Sequence, residues 1–154
     1  MLNKIFVLVL FLFLSSCGYE AIHSKKNLIN YNFSISELNF TGDRNVNLKM
    51  KEKLNIYTLT KKDKNFILEI SSTAKKIVLA KNATGDSTNF KKTILINVEV
   101  LRKDNLVTNF QITENFNYNN ITNKFELARY EREIIDNLTE TAKDKIIFRL
   151  SNIQ

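Results

Sequence analysis

Two sets of residues in this chain have the types and spacing to do chemistry: a single thiol, Cys17, and a population of lysines and arginines that outnumbers the acids 23 to 16. A thiol can be acylated, oxidised or bound to a metal, whereas clustered ammonium and guanidinium groups hold phosphates and carboxylates by charge-assisted hydrogen bonds. Catalysis finds little else to use. His23 is the one histidine and only three glycines are present. No Ser-His-Asp set, metal-ligand cluster or phosphate-cradling glycine loop can be assembled from the sequence. Glu131 and Glu133 near Asp136 suggest paired carboxylates, but the alternating charges of Tyr130-Glu131-Arg132-Glu133 fall on a predicted helix and read as a solvated face. The expected function is non-enzymatic, with no metal and no cofactor.

The setting of Cys17 is more specific. Residues 1–4 carry one positive charge, residues 5–14 are ten uninterrupted apolar residues, and Ser15-Ser16 form a small-residue boundary. That is the secretory-signal pattern. A spanning helix needs about 20 apolar residues, so residues 1–16 are expected to be cleaved rather than to remain in a membrane. Leu14-Ser15-Ser16-Cys17 resembles the bacterial lipobox, in which the thiol is acylated before a dedicated peptidase cuts ahead of it. The resemblance implies a covalent lipid on Cys17. One acyl chain binds a bilayer marginally, at about 0.8 kcal/mol per buried CH₂, while two or more anchor stably. Gly18 replaces the aspartate that in the enterobacterial sorting rule favours inner-membrane retention, which leans toward the outer membrane. The bland alternatives for a lone exported cysteine are a free thiol and an intermolecular disulfide.

Loss of Lys4 with the signal lowers the formal charge from +7 to +6, so an anionic partner is expected. Nucleic acid is the usual partner for such a balance, but an exported and anchored chain meets anionic lipid or glycolipid first, and nucleic acid is not expected.

The elements that must position these charges follow from periodicity. Residues 17–30 read as the lipidated cysteine and a polar tether, and residues 31–154 as one domain. Tyr31, Phe33 and Ile35 alternate with polar residues as a half-buried strand. Thr41-Gly42-Asp43 gives a turn and an N-cap, after which Val46, Met50, Leu54 and Tyr57 make one helical stripe. Phe66, Leu68 and Ile70 open a second strand with a parity change near residues 73–76, where a bulge is expected. Ile94, Ile96, Val98 and Val100 form the third strand. A three-residue loop, Lys103-Asp104-Asn105, with Asn105 left-handed, leads to the fourth, carrying Leu106, Phe110, Ile112, Phe116 and Tyr118. Phe125, Ala128, Ile135, Leu138, Ala142, Ile146 and Leu150 then stripe a helix of about seven turns. The order β-α-β-β-β-α predicts an α+β, two-layer sandwich: a four-stranded, mainly antiparallel sheet covered on one face by two helices.

Pairing the strands on paper gathers positive charge at one end. Turning at Gly85 puts Lys81 opposite about Asn89, with Lys91 and Lys92 just beyond on the returning strand. Pairing around Asp104 sets Phe90 opposite Tyr118, so Lys124 and Arg129 of the last helix arrive at that same end. Such a cluster suits phosphates or sugar carboxylates; its bland counterpart is a scatter of solubilising surface lysines.

With these residues in place, the mature chain as a whole resembles the lipopolysaccharide-assembly lipoprotein LptE family. The likeness lies in Cys17-Gly18-Tyr19 after the lipobox, the first strand leading through Gly42-Asp43-Arg44 into an amphipathic helix, a long hairpin with a basic tip, and a last helix with Tyr130-Glu131-Arg132-Glu133, Ala142, Ile146, Arg149 and Leu150. No one motif is specific; their order over nearly the whole chain carries the likeness. It implies a lipid-anchored protein on the periplasmic face of the outer membrane, partnered with an LptD-like β-barrel whose lumen it plugs, acting in delivery of lipopolysaccharide to the outer leaflet. It also implies lipopolysaccharide contact by Lys81, in Ala80-Lys81-Asn82 of the hairpin tip, and by Arg129, in Leu127-Ala128-Arg129 opening the last helix. The tip is a residue or two longer than the family pattern, and Lys91-Lys92 is an addition to it. The competing readings are a lipoprotein scaffold of another envelope complex and a periplasmic anionic-lipid carrier, which would need an apolar cavity that the closely stepped apolar sets argue against.

Overall fold

The computed structural model describes residues 31–59 and 61–153; the signal, the tether and Cys17 lie outside the described residues. Strand β1 (Phe33–Gly42) runs into helix α1 (Arg44–Leu54), which closes in a 3₁₀ turn (Asn55–Thr58). Strands β2 (Lys64–Lys81), β3 (Ser87–Arg102) and β4 (Asn105–Asn119) follow, then helix α2 (Lys124–Ser151). The fold is α+β with the expected element order. The sheet, in order β1-β2-β3-β4, is mixed rather than mainly antiparallel. β1 pairs parallel with β2 because α1 carries the chain back along the sheet before β2 begins, whereas β2, β3 and β4 are joined by tight turns and pair antiparallel.

One face of the sheet is covered and one is open. Phe66, Leu68, Ile70, Ile94, Ile96, Val98, Val100 and Ile112, all at even positions, pack in one cluster with Val46, Met50 and Leu54 of α1 and Ile135, Leu138, Ala142, Ile146 and Leu150 of α2. Odd positions carry Asn97, whose side-chain carbonyl accepts from Gln111 at 2.8 Å, and Asn89, whose amide donates to Asn119 at 2.8 Å. Period 2 in the strands thus separates an apolar layer from an amide-rich one. The helices lie side by side in the same direction, with Lys53 bonded to Asp136 (3.2 Å) and Glu140 (3.0 Å), and Lys49 to Asp136 (3.5 Å). Among the described residues no helix is long and apolar enough to cross a membrane.

The cap at Asp43 is as expected: its carboxylate accepts from the Asn45 and Val46 amides, both at 3.0 Å. Asp43→Ala removes partners from two free amides and should lower the unfolding free energy by about 1 kcal/mol, read as a shift in the urea midpoint at constant slope.

Several local expectations are corrected. α1 ends at Leu54, and Tyr57 instead lies in the 3₁₀ turn, where its ring stacks on Phe33 (5.9 Å between centroids, 15° between planes). Lys103 (φ 52°) and Asp104 (φ 64°) are the left-handed pair of a two-residue turn, and Asn105 already belongs to β4; two consecutive positive φ values fit the strand twist better than one. Phe125 is 73% exposed and Ala128 is exposed, so the buried stripe of α2 begins only at Ile134. No bulge falls at residues 73–76; β2 and β3 shift register at Val78/Ala80 and Ala80/Lys81. Parity is lost earlier because β2 outruns its cover, not because its backbone bends.

Candidate anion-binding arm

β1 stops opposite Ser72, and beyond that point β2 is paired with β3 alone on one side. The two strands continue past the end of β1 as an arm that β4 accompanies along β3 as far as Asn119 opposite Asn89, so that only the tip, residues 81–88, clears β4. At about 3.3 Å per residue, residues 73–81 extend about 30 Å. The tip is a well-bonded turn. Asn82 exchanges main-chain contacts with Asp86 and Gly85 at 2.9 and 3.0 Å, and its side-chain carbonyl accepts from the amides of Thr84 (3.1 Å) and Asp86 (2.8 Å). Gly85 supplies the positive φ of 87°. Asp86 is fully exposed, and hydrogen bonds from Thr84 and then Asn82 hold its carboxyl below the usual aspartate value.

Residues 73–92 carry five lysines, at 75, 76, 81, 91 and 92, against the single acid Asp86. Lys81 is exposed at the end of β2 and faces Ser87 rather than Asn89, because the two register shifts near the tip absorb the difference. Lys91 lies opposite Ile77 and Asn117, on the open face. Lys92 lies opposite Lys76 and Phe116, on the helix side. Lys124 is exposed at the first position of α2, which starts just after Asn120 bonds the Thr88 carbonyl at 2.8 Å. Arg129 opens onto a different surface, a shallow groove of about 520 Å³ between the helices, lined by Lys49, Arg129, Arg132, Glu133, Asp136 and Asn137. Lys81 therefore stands at the tip and Lys124 at the start of α2 just past the end of β4, Lys91 and Lys92 take opposite faces of the arm, and Arg129 looks along the helix seam.

The root of the arm is fixed by Lys76, which no sequence pattern singles out, together with Phe90, Tyr118 and Glu131. Phe90 and Tyr118 face each other as expected, with ring centroids 5.6 Å apart. The Lys76 ammonium sits 4.0 Å above the Phe90 ring and is ion-paired with Glu131, which also accepts from the Tyr118 hydroxyl at 2.8 Å. Burial raises the Glu131 carboxyl, but the hydrogen bonds from Lys76 and Tyr118 and the charges of Lys76 and Lys92 outweigh it and hold the group below the ordinary glutamate value. Burial, then the bond to Glu131, pushes the Tyr118 phenol well up. Glu131 and Asp136 are thus structural partners of lysines rather than a solvated face. One signal could have exposed this: Lys76 directly opposite Lys92 is a like-charge pair that costs stability unless an acid sits beside it.

No protein-family model matches this chain, and no curated protein matches it by sequence. Solved structures do. Rare lipoprotein B from Shewanella oneidensis superposes with a TM-score of 0.57 at 13% identity, over 75% of this chain and 93% of that one. A minor lipoprotein from Acinetobacter baumannii gives 0.55 at 15%, over 77% and 92%. Lipoprotein B from Nitrosomonas europaea gives 0.51 at 12%, over 79% and 86%. The chain has the fold of these bacterial lipoproteins.

Proposed function

We propose that this chain is an envelope lipoprotein, anchored by lipid on Cys17 to the periplasmic face of the outer membrane, that binds lipopolysaccharide through its cationic arm and plugs an LptD-like β-barrel. The observation that carries the reading is the arm: five lysines against one aspartate on a strand pair that outruns β1, in a fold shared with lipoprotein B. Lipopolysaccharide molecules are held together by acyl contacts and by divalent cations between phosphates. Ammonium groups on this end of the molecule compete for those phosphates at no folding cost, since among the described residues Lys81, Lys91 and Lys124 take part in none of the ion pairs that hold the domain together. The cluster of near-zero exposures in the core supports a filled plug over a carrier with an interior cavity.

The test is charge reversal. Lys81→Asp with Arg129→Asp should weaken lipopolysaccharide binding at least about tenfold, since a charge-assisted hydrogen bond contributes about 1.5–3 kcal/mol. The thermal midpoint and co-purification of the barrel should not change, because both side chains are exposed. Wild-type binding should weaken with added salt. Undiminished binding by the double variant overturns the assigned site; recovery from membranes with no barrel overturns the plug.

A further inference from the structure

We infer that the outer edge of β2 along the arm, residues 73–78, receives an extended segment of a protein partner as an added strand, and that the segment alternates apolar and acidic residues. Past Ser72 this edge has no strand neighbour among the described residues, so alternate main-chain N–H and C=O groups along it point outward unpaired by the described sheet. Natural edges of this kind are blunted by proline, by bulges or by inward charges. Here the bulges begin only after Val78, and no proline is present. Of the two lysines that could blunt the edge, Lys76 is drawn back over Phe90 to Glu131, which leaves Lys75 exposed as a partner for an acidic side chain.

Side chains beside the edge argue the same way. Ile77, Val78 and Leu79 are consecutive and 51%, 46% and 45% exposed. In a strand their directions alternate, so apolar surface is presented on both faces of the arm at once. A solvated hairpin has no use for that, whereas an added strand covers both faces with its own alternate side chains. The five lysines decide which strand. Two copies of this arm laid edge to edge would set like charges together, which disfavours self-pairing, while acidic residues flanking the apolar ones would meet Lys75 and Lys81 of β2. The strand addition itself does not depend on the lipopolysaccharide reading, since it rests on the main chain of the arm and on Ile77, Val78 and Leu79; only the acidic character of the added segment draws on the same lysines.

The experiment uses the mature lipidated chain in detergent and three probes: an end-blocked nine-residue peptide alternating Glu and Val, the same peptide N-methylated at every residue, and vesicles of phosphatidylcholine with phosphatidylglycerol. The unmethylated peptide should slow amide hydrogen exchange at alternate residues within 73–78, and should bind at least tenfold more tightly than its methylated form, which keeps every charge and side chain but cannot pair. Equal binding of the two peptides would reduce the contact to charge and overturn the proposal. Protection of 73–78 by vesicles and not by the peptide would make the arm a lipid-facing device and overturn it equally.

Discussion

Gly42→Ala should cost about 4 kcal/mol or more of unfolding free energy, a large share of the 5–15 kcal/mol typical of a domain. Gly42 ends β1 at φ 96°, a region where a side chain adds about 1–2 kcal/mol of strain. Sterics add the larger part. A Cβ built on Gly42 falls 2.0 Å from the Ser72 carbonyl oxygen, so the end of β1 would have to move off β2. That movement breaks more than a contact. The Ser72 carbonyl accepts the Asp43 amide at 3.0 Å, and the buried Ser72 hydroxyl donates to the Asn47 side chain at 2.6 Å, so strand end, helix cap and first helical turn shift together. Gly85→Ala is the control. Its φ of 87° carries a comparable backbone strain, but nothing lies within 4 Å of the added Cβ, and about 1 kcal/mol is expected. Urea midpoints of the two variants separate the steric part from the conformational part. Equal losses would mean that the approach of Gly42 to Ser72 is not a constraint.

The second large effect is expected at Glu131. Glu131→Gln keeps an acceptor for Tyr118 but withdraws the charge that holds Lys76 over Phe90, and should cost about 2 kcal/mol at neutral pH, as for a partly buried charged hydrogen bond. The pH dependence has a definite sign. The folded-state carboxyl is held below its ordinary value, so its contribution is fully present above the unfolded value of about 4.3 and is lost as pH falls through the lower, folded value. Stability measured from pH 7 downward should therefore show the gap between wild type and Glu131→Gln closing below about pH 4. Glu140, also held low by its bonds to Lys143 and Lys53, titrates in both proteins and cancels in the difference. A gap that stays constant to acid pH would assign the loss to packing instead of charge. Because the triad sits at the root of the arm, Glu131→Gln should also quicken hydrogen exchange around Lys76 and Phe90 while leaving the tip turn, closed by Asn82, unchanged.

Structural likeness at 11–15% identity to lipoproteins from four bacteria carries the architecture, while the proposed function rests on the arm. Residue periodicity and turn residues gave the element order, the even-position core of β2, β3 and β4, the Asp43 cap and the Phe90–Tyr118 pairing, because each depends on contacts set by local spacing or by one tight turn. The lipobox likewise is a linear signal, read by enzymes from an unfolded segment, and needs no fold to be legible.

Distance along the chain decided the rest. The parallel pairing of β1 with β2 depends on where α1 returns the chain, 20 residues and more beyond any turn signal. The exposure of Ile77, Val78 and Leu79 depends on β1 stopping opposite Ser72, and no pattern within β2 records where its neighbour ends. The Lys76–Glu131 pair spans 55 residues, so the charge that neutralises the arm's root was invisible beside a count of basic residues. Sequence could say that positive charge gathers toward one end of the molecule. Only the packing of α2 on the sheet determined which of the described lysines are consumed in holding the arm and which stay outside its ion pairs, since ion pairing is a property of side chains brought together from separate elements.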